Sequence, residues 1–143
     1  MGILDKLFGS KQPDYPALNP ESEAGKLAHE VKPALDKLAD DLGDKMEVVP
    51  SAETTYVFCG RPPHAFGLVW IHDGQTKNLK DVVERGKMSP PEATAPIERL
   101  AKAYDHSKDA ERYTMEVGGN TVTVTPSQAL HDEVEEIVQR IAA

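Results

Sequence analysis

The sequence predicts an α+β fold, with an antiparallel sheet of about four to five strands built from two hairpins and three helices packed mainly on one face. Three observations lead there. Apolar stripes at helical spacing run near both ends of the chain, two β-branched and aromatic runs occupy the middle, and a Gly-Gly step joins two alternating runs before the last helical stripe. There is no βαβ repetition and no glycine-rich nucleotide loop, which argues against a doubly wound α/β fold.

At 143 residues the chain fits one domain. We read residues 1–18 as an N-terminal amphipathic segment with a proline-containing connector, and residues 19–143 as a single α+β domain. In "MGILDKLFG" the residues Ile3, Leu4, Leu7 and Phe8 form one apolar stripe. This opening is of a kind met in many small bacterial cytosolic chains and carries no function by itself. Residues 1–9 can make a peripheral contact with a membrane or a partner, although such segments more often fold back or fray. Gly2 does not open a myristoylation signal, because Lys6 stands where Ser or Thr is required.

The first helix is expected from about Pro20 to Leu42, with Asn19 as its cap and Gly43 closing it. Leu27, Val31, Leu35, Leu38 and Leu42 share a face, and Pro33 should kink or divide the element. "KMEVVP" is a short strand, and "TTYVFC" and "AFGLVWIH" form the first hairpin, after which "DGQT" turns the chain away. Residues 89–104 read as a second helix opened by a capping box at Ser89, Pro90 and Glu92, with Pro96 complicating its middle. "RYTMEV" and "NTVTVT" flank Gly118-Gly119 as the second hairpin. Thr125, Pro126 and Gln128 repeat the capping pattern ahead of a helix whose apolar face is Leu130, Val134, Ile137, Val138 and Ile141.

The net charge of −8 works against a phosphate-binding footprint, so no nucleic-acid partner is expected. One cysteine cannot form an internal disulfide, and no apolar run reaches membrane-spanning length, so an integral membrane segment is not expected and cytoplasmic residence is the default. A protein partner or a homodimer formed through a sheet edge remains compatible with this organisation.

Candidate chemistry concentrates in "YVFCGRPPHAFGLVWIHDG", which carries Cys59, Arg61, His64, His72 and Asp73. A thiol nucleophile needs a neighbouring histidine, cation or helix N-terminus, and those residue types are present. The outcome depends on hairpin register. With Cys59 opposite His64, thiol and imidazole share a face. With Cys59 opposite Ala65 and Phe58 opposite Phe66, Tyr56, Phe58, Phe66, Leu68 and Trp70 form one aromatic-rich inner face, and Cys59 turns to the other. The second register gives the pattern a single inside and is preferred, leaving Arg61 and His64 at a proline-stiffened tip. His72 and Asp73 then end a strand at a turn.

A metal or other cofactor is not expected, because the Cys59–His64 spacing lacks the force of a zinc motif and "HEVK" at His29 lacks a second histidine. Asp132, Glu133, Glu135 and Glu136 read as the wet side of the last helix. The sequence leaves enzymatic activity undecided. It favours a small soluble interaction or accessory module, with a small ligand-binding protein or enzyme using the 59–73 hairpin (thiol or metal chemistry at Cys59, His64 and His72) as the alternative.

Overall fold

A computed structural model describes residues 15–42, 45–62, 65–86 and 90–142. In chain order the elements are α1 (Glu23–Glu30), α2 (Lys32–Leu42), β1 (Met46–Val49), β2 (Thr54–Arg61), β3 (Ala65–His72), β4 (Gln75–Asn78), α3 (Leu79–Arg85), α4 (Pro90–His106), β5 (Tyr113–Val117), β6 (Asn120–Val124) and α5 (Gln128–Ala142). The expectations for residues 1–9, Gly43, His64 and the Ser89 cap lie outside the described residues.

The expected first helix is two. Val31 interrupts it, and Pro33 falls in the first turn of α2, where its missing N–H costs nothing. Asn19 does not cap α1. Its side chain instead accepts from Glu21 N–H at 2.9 Å in the preceding turn, and Ser22 Oγ accepts from Gly25 N–H at 3.0 Å as the N-cap. Helix α4 runs through Pro96 without ending.

The sheet corrects the sequence prediction in four ways. Among the described residues it has six strands in the order β4-β3-β2-β1-β6-β5 and is mixed, because β1 and β6 pair in parallel. The described residues contain five helices rather than three. Those helices cover both faces rather than mainly one. Leu35 and Leu38 of α2 pack with Val48, Val57, Ile71 and Val124 on one face. Leu79, Leu100 and Leu130, from α3, α4 and α5, pack with Phe58, Leu68 and Trp70 on the other.

Physical reasons for the differences are local. β4 is the exposed polar stretch Gln75–Asn78, with no apolar alternation to announce it, and it forms because Asp73 (φ 51°) and Gly74 (φ 74°) make a tight turn that folds it back on β3. The seven-residue α3 is too short to show a helical period, and its cap is Asn78 Oδ1, which accepts from Asp81 N–H at 2.8 Å. β1 is buried at all four positions, as a strand covered on both faces must be.

In the first hairpin Phe58 pairs with Leu68, Tyr56 with Trp70 and Cys59 with Gly67. Both proposed registers therefore give way to a third, two residues from the preferred one. A shift of two preserves the faces, because side chains alternate with period two. Tyr56, Phe58, Phe66, Leu68 and Trp70 thus still share a side, and the Phe58 and Phe66 rings meet diagonally at 5.6 Å between centroids.

At the sheet's other edge, Leu18 N–H donates to Thr114 C=O at 2.8 Å and Thr114 N–H donates to Pro16 C=O at 2.9 Å, so the end of the proline connector lies along β5. Among the described residues no helix is long and apolar enough to cross a membrane.

Candidate functional site: a histidine and carboxylate cluster beside an aromatic cleft

Helix α5 starts where Ser127 Oγ accepts from Leu130 N–H at 3.2 Å, and it is held to the sheet by Leu130, Val134 and Val138. His131 follows Leu130 directly and is drawn into the interior with it, so its side chain is only 5% exposed. One helical turn on, at i+4, stands Glu135, and Asp132 lies three residues before Glu135, so all three project from neighbouring positions of one helix. Their ligand atoms lie within 4.8 Å of one another, an arrangement that can hold a metal ion.

The histidine is oriented for that role. Its Nε2 lies 2.9 Å from the Thr54 carbonyl oxygen. A carbonyl only accepts, so Nε2 carries a proton, and Nδ1 is the ring atom left to meet the carboxylates or a metal ion. Nδ1 in turn faces Asp132 Oδ1 at 3.4 Å. A ring nitrogen turned toward carboxylates, with its opposite N–H anchored on a backbone carbonyl, is the outer-shell arrangement that fixes metal-binding histidines. Asp132 is held ionised below the usual carboxylate range, first by Gln128 Nε2, which donates to it at 2.8 Å, and then by His131. The Tyr56 ring lies 5.2 Å from the imidazole between centroids, and burial, with the Glu135 charge added, pushes its phenol well above the ordinary value.

Glu135 also lines a cleft of about 510 Å³ between β3–β4, α3 and α5. Tyr56 and Trp70 form its floor, with Val82 and Val138 on its walls and Lys77 and Arg85 on its rim. His72 reaches it from the end of β3, where Nδ1 lies 3.2 Å from the Glu53 carbonyl oxygen and 3.1 Å from Thr54 Oγ1.

Among the described residues, the two ends of the alternative hairpin site, Cys59 and His72, do not come together. Cys59 pairs with Gly67 and His72 pairs with Thr54, five positions apart along β2, or roughly 17 Å at the usual strand rise. They also face opposite ways, since Cys59 packs against the α2 side while His72 lies on the side of Trp70. Thiol or metal chemistry shared by Cys59 and His72 is thereby corrected, whatever the position of His64. Arg61 is exposed at the far end of β2, and Asp73 is exposed at the β3–β4 turn beside His72, with 3.6 Å between Oδ2 and Nε2.

Sequence pattern alone gives His131 no role, places Asp132 and Glu135 on the solvated side of the last helix, and makes Tyr56 and Trp70 core residues. The signal available was a histidine and a glutamate at i and i+4, with an aspartate between them, at the start of an amphipathic helix. Comparison with protein-family models, with curated proteins and with solved structures finds no match to this chain.

Proposed function

We propose that this protein is a small metal- and ligand-binding domain whose centre is His131, Asp132 and Glu135 on α5. The observation that supports this is the buried imidazole of His131, tied through Nε2 to the Thr54 carbonyl and presenting Nδ1 to the carboxylates. One imidazole and two carboxylates form a donor set for a first-row divalent ion such as Zn²⁺ or Mn²⁺. Three protein ligands leave coordination positions for water or for a bound molecule entering from the cleft. The reading replaces the hairpin as the seat of chemistry and is better supported than a bare interaction module, because it rests on a defined constellation of side chains.

Equilibrium dialysis of chelator-treated protein against Zn²⁺ or Mn²⁺ tests it. Stoichiometric uptake is expected, weakened more than about tenfold in His131→Gln and in Asp132→Ala. Cys59→Ser should bind as the parent does, since Cys59 lies on the other face of the sheet. Failure to take up either ion, or uptake untouched by the α5 substitutions, would reject the proposal.

A further inference from the structure

The geometry points to a second ligand, a small organic anion with an apolar body, held in the cleft beside the cluster. The volume of about 510 Å³ falls within the range of small-molecule sites. Tyr56 and Trp70 close its inner end as nearly buried side chains, their rings 6.2 Å apart between centroids and tilted by 50°, and Val82 adds an apolar wall. A lining of this kind suits a small body that is largely apolar.

Charge selects among such molecules. The chain carries −8 overall, yet Lys77 and Arg85 face only one carboxylate in this lining, Glu135. Neither cation forms a salt bridge among the described residues. Lys77 is the direct cross-strand partner of Trp70, so its stem rises on the same side of the sheet as the indole, and its ammonium is placed at the rim above the floor. Arg85 approaches from the last turn of α3 and can meet a carboxylate or phosphate with two parallel N–H donors. An apolar body inside the cleft and an anionic group between Lys77 and Arg85 satisfy both features at once. The inference needs no metal ion.

Trp70 is the only tryptophan, so its indole N–H gives a single NMR resonance that reports on the floor of the cleft. Nitrogen-labelled, chelator-treated protein is titrated with naphthoate and, separately, with the neutral naphthamide. Naphthoate should shift the indole resonance saturably and bind at least about tenfold more tightly than naphthamide, as two rim contacts allow. The exposed pair Lys77→Gln/Arg85→Gln should erase that preference and leave naphthamide binding as it was. Equal affinity for the two probes, an indole resonance that naphthoate does not move, or a preference surviving the double substitution would each overturn the inference. Because the protein is metal-free, none of these outcomes bears on ion binding at α5.

Discussion

Arg112 Nε donates to Glu47 Oε2 at 3.0 Å in the interior, between the sheet and α4, where both side chains are nearly excluded from water. Glu47 is the second residue of the central strand β1 and must point into the α4 side, so its charge has to be answered there. Tyr104 Oη donates to it at 2.7 Å and Thr125 Oγ1 at 2.6 Å. The Arg112 head group also donates to the Ser107 carbonyl at 2.9 Å and to Ser107 Oγ at 3.0 Å, and it lies 5.3 Å from the Tyr104 ring centroid. Burial opposes the guanidinium charge, but the Glu47 carboxylate, through its charge and its hydrogen bond, together with Tyr104 and Tyr15 raises the Arg112 pKa overall, so the guanidinium stays charged.

Removing one member of this pair should therefore cost far more than removing both. Glu47→Leu strands a buried guanidinium, and its expected penalty in urea unfolding is about 3–5 kcal/mol. Glu47→Leu/Arg112→Leu should be less destabilised than Glu47→Leu alone. A single variant within about 1 kcal/mol of the parent would show that the network is open to water.

The same network reassigns Thr125. Sequence spacing makes Thr125 the cap of the last helix, yet its hydroxyl is spent on Glu47 and Ser127 performs the capping. Ser127→Ala should thus lose about 1 kcal/mol, the ordinary value of a cap. Thr125→Val should lose about 1.5–3 kcal/mol, because the bond it breaks is to a buried carboxylate. Chemical denaturation of the two variants side by side decides the assignment, and a larger loss at Ser127 would reverse it.

Tyr56 and Tyr104 supply a pH signature. Burial raises both phenols far above the ordinary 10.0, with Glu135 adding to the effect at Tyr56 and Glu47 at Tyr104. A folded pKa above the unfolded one means that the stabilisation is complete below pH 10.0 and drains away as pH rises toward the folded values. Tyrosinate absorbance should accordingly develop in two stages, with the share of Tyr56 and Tyr104 appearing only as far-UV circular dichroism is lost. Tyr56→Phe should reduce the late stage. Complete ionisation of all four tyrosines with the fold intact would contradict the burial.

These residues also show what the sequence could disclose. Faces were legible, because alternation survives a register error of two: Cys59 falls opposite the aromatic side in both the expected and the observed pairing. Register itself was not, since the Pro62–His64 connection accommodates several loop lengths and pairing energy depends on neighbours the hairpin alone does not reveal. The parallel β1–β6 contact and the second helical layer were hidden for the same reason, being set by residues nearly eighty positions apart, as Val48 and Val124 are. The α5 cluster was hidden by its composition. Acidic residues on the last helix look solvated, and only the Thr54 carbonyl, brought in by another strand, gives His131 its orientation.

Thr55 offers the cleanest check on the α2 side of the sheet. It lies opposite Ile71 in a layer that contains Val57, Val69 and Leu35, and it is 1% exposed. Among the described residues its Oγ1 is the only buried side-chain polar atom without a hydrogen-bond partner. A buried hydroxyl with no partner forfeits its water and gains nothing in exchange, whereas a methyl of the same shape has no such loss. Thr55→Val should consequently raise stability by about 1 kcal/mol in urea unfolding, while Thr55→Ala should lower it by opening a void between α2 and the sheet. The position lies on the face opposite His131 and Trp70, so ion uptake and naphthoate binding should be unchanged in Thr55→Val. A destabilised valine variant would mean that the hydroxyl has a bonding partner in solution, and that this side of the sheet is wetter than its packing implies.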